Sequence, residues 1–103
     1  MYKNKFGSRN NIAGLNVAII RKKKKWSQQE LAVKLQTINH DIGKNGIQEL
    51  ESGTRYVTDI ELLALSKVLN VSLEKLLDVS TVPPAKYKDE DSTYGLKEIA
   101  SPH

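Results

Sequence analysis

An all-α bundle of five short helices is the fold predicted by the sequence, on three observations. Aromatic residues are only 6% of the chain and runs of alternating β-branched residues are nearly absent, so sheet-forming pattern is lacking. Apolar residues recur instead at the three- and four-residue intervals of a helix face. Serine and threonine caps, two of them followed three residues later by glutamate, divide that pattern into segments.

The first helix is expected from Ile12 to Lys25, with Ala13, Val17 and Ile20 on one stripe and Leu15 and Ile19 on its neighbour. It must stop near Trp26, because Ser27-Gln28-Gln29-Glu30 is a capping box that starts another helix. The second helix buries Leu31, Ala32 and Leu35 and ends about Gln36. Thr37 to Gly43 reads as a long turn. A third helix opens near Gly43 and runs through Glu51, with Ile47 and Leu50 facing inward and Gly53 free to take the left-handed conformation that ends helices. Thr58-Asp59-Ile60-Glu61 is a second capping box, launching a fourth helix with Leu62, Leu63, Ala64, Leu65, Val68 and Leu69. Asn70 terminates it, and Ser72 caps a fifth helix carrying Leu73, Leu76 and Leu77. Beyond Asp78, Pro83-Pro84 bars helix continuation. Residues 1–11 therefore form a basic arm, 12–78 the folded domain, and 79–103 a polar tail, mobile or docked through Tyr87, Tyr94, Leu96 and Ile99.

With 103 residues the chain has room for one core. The absence of cysteine excludes disulfides, thiol catalysis and cysteine-ligated zinc. The apolar runs are too short to span a membrane, and the basic N-terminus has no apolar stretch behind it to make a secretory signal. His40 and His103 have no spaced carboxylates, so no metal site is expected, and no cofactor is implied. No nucleophile elbow or glycine-rich phosphate loop occurs, so the chain is not read as an enzyme. The net charge of +4 hides an asymmetry. Residues 1–25 hold eight basic side chains and no acidic one, residues 26–78 five against eight, and residues 79–103 three against four. One basic end suits a polyanion such as nucleic acid or an anionic membrane, or is simply a solvated terminus.

Gly14, Arg21, Ser27-Gln28-Gln29-Glu30-Leu31-Ala32, Ile47, Leu50-Glu51-Ser52-Gly53 and Leu62-Leu63-Ala64-Leu65 through Leu69-Asn70-Val71-Ser72-Leu73, in that order, resemble the Cro/phage-repressor type of helix-turn-helix regulator. The resemblance covers residues 12–78 and implies the five-helix, lambda-repressor-like DNA-binding fold. There the third helix enters the major groove and the second crosses the backbone. One feature departs from it. The turn before Gly43 is longer than is usual by roughly five residues, which puts the angle between the two helices in doubt and makes Thr37–Ile42 a possible contact surface.

The outward residues of the third helix are then Lys44, Asn45, Gln48 and Glu49. Lys44 suits guanine O6 and N7, Asn45 and Gln48 suit adenine N6 and N7, and Glu49 either accepts from a cytosine amino group or orients Lys44. Gly46 allows close approach of the backbone to DNA. Gln28 is implied as a further base contact. Gln29, Lys22, Lys23, Thr54, Arg55 and Tyr56 are implied at phosphates, with packing as a half-buried cap the alternative for Tyr56. Lys24 and Lys25 add steering charge. Arg21 and Glu51 are implied to form a structural salt bridge. Trp26 either staples the second helix to the core or stacks on a base.

The expected function is sequence-specific binding of double-stranded DNA by a homodimeric transcriptional regulator, a repressor, in the cytoplasm at the nucleoid. Leu15, Ile19, Tyr87, Leu96 and Ile99 are its candidate dimer surfaces. The alternative is an antitoxin-like module that holds a protein partner through residues 79–103 and autoregulates its operator.

Overall fold

The first helix, α1 (Ala13–Lys23), has no side-chain cap at Ile12 itself, but Asn11 Oδ1 accepts from the Gly14 amide in its first turn, and the burial of Ala13, Val17 and Ile20 holds it in place. The computed structural model describes residues 5–80. Arg21, Lys22 and Lys23 lie in the last turn of α1, where cationic side chains favour the negative end of the helix dipole. The helix stops two residues short of the expected Lys25 because that residue takes a left-handed conformation (φ 61°), turning the chain toward Trp26.

The capping box of α2 (Gln28–Gln36) forms as its sequence dictates. The Glu30 amide donates to Ser27 Oγ at 3.0 Å, and the Ser27 amide donates to Glu30 Oε1 at 2.7 Å. Leu31, Ala32 and Leu35 are buried. The long turn then folds back on α2, with the His40 amide donating to the Leu35 carbonyl and Asn39 left-handed at φ 66°. Ile42 dips into the core, and Gly43 begins α3 (Lys44–Ser52) without any side-chain cap. At the other end Gly53 has φ 96°, and the amides of Gly53, Thr54 and Arg55 converge on the Glu49 carbonyl.

α4 (Asp59–Leu69) receives only half of its expected capping box. Thr58 Oγ1 accepts from the Glu61 amide, but the Glu61 carboxylate turns inward to other partners. Asn70 ends the helix in the left-handed region, as expected. α5 (Leu73–Leu76) is one turn long, capped by Ser72. A single turn can point only one of its leucines inward. Leu76 is buried, whereas Leu73 and Leu77, both expected on the apolar face, stay exposed.

The fold is all-α, with no strand among the described residues beyond one isolated bridge between Phe6 and Arg9. α3 lies against α1 and α2, while α4 packs on both and on α5. Val17, Leu31, Leu35, Ile47, Leu50, Leu65, Leu69 and Leu76 are fully enclosed at the centre. Asn16 ties α1 to α5 and the residues just after it by donating to the Leu76 and Asp78 carbonyls at 2.9 and 2.8 Å. The structural consequence is a third helix gripped from two sides, with one long face left over.

Candidate nucleic-acid interface

The inward face of α3 is made by Ile47 and Leu50, spaced three residues apart, and both are fully buried. Its opposite face carries Lys44, Asn45, Gln48, Glu49 and Ser52, all exposed. Among the described residues, no hydrogen bond or ion pair engages the side chains of Lys44, Asn45 or Gln48. Lys44 and Glu49 do not pair, so Glu49 does not orient Lys44 here. Ser52, not expected as part of this face, shares it, with its hydroxyl donating to the Glu49 carbonyl. Gly46 has a structural use that the sequence did not suggest. It turns away from the polar face toward Ile42, whose Cγ1 would lie 2.4 Å from an added Cβ. The missing side chain makes room for the end of the long turn.

Three elements meet at Glu51. Arg21 of α1 donates through Nε to Oε2 at 2.7 Å and through Nη2 to Oε1 at 3.0 Å, a bidentate pair. The side chains are only 10% and 9% exposed. The hydrogen bond to Glu51 raises the Arg21 pKa above its ordinary value, against the opposing effect of burial. Arg21 Nη1 also donates to the Trp26 carbonyl at 2.7 Å. Gln28, the first residue of α2, donates to the same Oε1 at 3.0 Å and is half-buried. Expected at a base edge, Gln28 is thus engaged inside the protein, joining the start of α2 to the end of α3.

The C-terminal end of α3 is capped by a segment read from sequence only as a basic arm. Phe6 and Arg9 close a tight turn through reciprocal backbone bonds, with Gly7 at φ 64°. Arg9 is buried, and its Nη2 donates to the Leu50 and Glu51 carbonyls at 3.2 and 2.9 Å. Burial lowers its pKa, and the carbonyl end of the helix dipole offsets that cost. Asn11 Nδ2 donates to the carbonyls of Leu50 and Arg55, while Asn11 Oδ1 accepts from the Gly14 amide. Arg9 therefore belongs to the fold and not to the free charge of the N-terminus. No local motif marks this use: besides the neighbouring Asn11, the acceptors that fix Arg9 to α3 are backbone carbonyls about forty residues away.

Arg55, expected at a phosphate, is likewise committed internally. Its Nε and Nη2 each donate to the Glu61 carboxylate at 2.9 Å. His40 Nε2 lies 2.6 Å from Glu61 Oε2, so this histidine does have a carboxylate partner, one that spacing of 21 residues concealed. Burial acts most strongly on Glu61 and would raise its pKa, but the hydrogen bonds and charges of Arg55 and His40 together hold it below its ordinary value of 4.5. A carboxyl depressed in the folded state stabilises the fold above its unfolded pKa, and that contribution disappears as pH falls through the folded value. The stability difference between wild type and Glu61→Gln is accordingly expected to shrink progressively as pH falls below about 4.5. Denaturant titrations across this range measure it, and a difference independent of pH would contradict the ion cluster.

The remaining expected contacts are disposed on the surface. Lys22, Lys23 and Gln29 are exposed and have no ion-pair partner among the described residues. Thr54 is exposed, and its hydroxyl lies 3.4 Å from Ser52 Oγ. Tyr56 is 63% exposed, so it does not pack as a cap. Trp26 is half-buried against the core, with the Lys24 and Lys34 ammonium groups 5.3 and 4.5 Å from its ring centre, which fits the staple. Lys3, His103, Tyr87, Leu96 and Ile99 lie outside the described residues. Among the described residues no helix is long and apolar enough to cross a membrane, and no cluster of three or more metal-ligating side chains occurs.

Comparison with known proteins agrees with this geometry. The family model described as Helix-turn-helix matches residues 17–76, over half of the chain. No curated protein and no solved structure matches. The matched region spans the Arg21–Glu51 pair, both helices of the motif and the whole exposed face of α3. The chain belongs to the Cro/repressor-type helix-turn-helix family of DNA-binding transcriptional regulators.

Proposed function

We propose that this protein is a sequence-specific repressor that reads the major groove of double-stranded DNA with residues 44–51. The observation that carries the reading is the outward face of α3, where Lys44, Asn45 and Gln48 stand unpaired among the described residues on a helix held at its C-terminal end by Arg9 and Arg21. These side chains supply the donor and acceptor patterns that distinguish guanine and adenine in the major groove. Lys22, Lys23, Gln29, Thr54 and Tyr56 are assigned to phosphates, which position the protein without specifying sequence. Gln28 and Arg55 are assigned to DNA only through their influence on α3, since both are spent on internal carboxylates. Glu49 is the remaining base-contact candidate, as acceptor from a cytosine.

A single recognition helix makes few base contacts, so the repressor is proposed to act as a homodimer on two half-sites, in the cytoplasm at the nucleoid. Ile19 on α1, Ile60 and Leu63 on α4, Leu73 on α5 and Leu77 just after it are exposed apolar residues available to a dimer interface, and Leu15 on α1 is half-buried. The substitutions Lys44→Ala and Asn45→Ala are expected to weaken binding to a specific site by about 1–3 kcal/mol for each lost base contact. Their melting temperatures should stay at the wild-type value, because neither side chain touches the core. Quantitative gel-shift titrations against specific and scrambled duplexes provide the measurement. Unchanged discrimination would remove α3 as the reading element, and a co-purifying protein partner in its place would favour the antitoxin-like module.

A further inference from the structure

We infer that Glu61 is a positioning residue for DNA reading, holding the long turn before α3 through His40 and the loop after α3 through Arg55. The inference rests on the assignment of α3 as the recognition helix and adds what sets its pose.

The need for such a device follows from the length of the turn. Adding a few residues to a loop costs little free energy, because closure entropy grows only logarithmically with length. It does loosen the geometric relation between the helices that the loop joins, and reading bases requires side chains held to within fractions of an ångström. Residues 37–41 are largely exposed, and α3 begins at Gly43 with no side-chain cap to fix its entry. Burial of Ile42 and the contact from His40 to Glu61 anchor the segment that leads into α3.

Glu61 suits this task. Its side chain is 4% exposed, it sits in the first turn of α4, and both carboxylate oxygens are occupied. One oxygen receives Arg55 Nε at 2.9 Å; the other receives Arg55 Nη2 at 2.9 Å and faces His40 Nε2 at 2.6 Å. Arg55 in turn is fixed to α3, since its amide donates to the Glu49 carbonyl and its own carbonyl accepts from Asn11. The carboxylate has given up its half of the α4 capping box to make these contacts. The segments on both sides of the recognition helix therefore report to one buried anion.

The test compares His40→Ala with His40→Gln, the glutamine retaining an amide donor for Glu61. Each full-length variant is titrated against a specific duplex and a scrambled duplex at one salt concentration, with helical content and melting followed by circular dichroism. His40→Ala leaves the Arg55–Glu61 pair and Ile42 in place, so it should remain helical. Its ratio of specific to scrambled affinity should fall about tenfold, the loss expected when one base contact is no longer in register, with scrambled-DNA binding unchanged. His40→Gln should recover most of that ratio. If His40→Ala does not fold, His40→Asn, whose amide is too short to reach Glu61, replaces it under the same criteria. Equal ratios in wild type and variant, or equal losses for His40→Ala and His40→Gln, would overturn the inference while leaving α3 as the reader. A wild-type protein without discrimination would remove the DNA-reading assignment itself, and the inference with it.

Discussion

Replacing Gly14 with alanine is expected to lower the melting temperature by roughly 10–20 °C. An ideal Cβ at this position would lie 1.9 Å from the Leu50 carbonyl oxygen, at the closest approach of α1 to α3. The obstacle is backbone, not the movable end of a side chain, so one helix must shift. Moreover, the same carbonyl accepts from Arg9 and Asn11, whose polar atoms would stand 2.8 and 2.7 Å from the added carbon. Overpacking of a close helix contact costs about 1–3 kcal/mol, and loss of these hydrogen bonds puts Gly14→Ala at or beyond the upper end of that range. For a domain this small each kcal/mol moves the midpoint by about 4–8 °C. Gly43→Ala is the matched control. It has an ordinary φ of −77° and nothing within 4 Å of the added carbon, and its stability should change by less than about 1 kcal/mol. Thermal unfolding of the two variants side by side decides the matter, and equal midpoints would contradict the packing of α1 on α3.

Glu51→Gln is expected to destabilise the fold by about 3–5 kcal/mol, the range for removing one partner of a buried ion pair. The neutral amide leaves the Arg21 guanidinium enclosed beside Trp26 without its counter-charge. It also presents an amide NH2 donor where the Arg21 fork and the Gln28 amide need acceptors. Gln28→Ala, which deletes one hydrogen bond and no charge, should cost only about 1 kcal/mol. Urea titrations that rank Glu51→Gln well above Gln28→Ala would support the arrangement, whereas equal small losses would place the pair in solvent.

The parts of the fold that were legible in the sequence are those governed by neighbours along the chain. Ser27 and Glu30 satisfy each other across three residues, and Asn70 ends α4 through its own backbone preference, so both could be read locally. The Arg21–Glu51 pair was legible only through the family resemblance, since thirty residues separate the partners. Glu61 shows the converse. The local pattern at Thr58 assigned its carboxylate to a cap, but Arg55 and His40, brought up by the tertiary fold, outcompete one exposed amide for it. Arg9 was invisible for another reason: its partners on α3 are backbone carbonyls, which every residue possesses and which no sequence pattern advertises. The outward face of α3 was readable because Ile47 and Leu50 define the inward one. Gln28 and Arg55 each have an internal carboxylate partner, which residue type and position alone do not reveal.

These placements change what the net charge means. Of the eight basic residues before position 26, Arg9 and Arg21 are consumed by the fold, and Lys24 lies beside Trp26. The basic end is less a free cationic arm than its composition suggested, and discrimination rests on the few side chains of α3. Selection of bound duplexes from a random-sequence pool by the full-length protein tests that claim most directly. The account predicts enrichment of an inverted repeat with half-site centres about one helical turn apart, and its loss with Lys44→Ala and Asn45→Ala combined. Recovery of no preferred sequence, with binding to any duplex that simply fades as salt is raised, would contradict it.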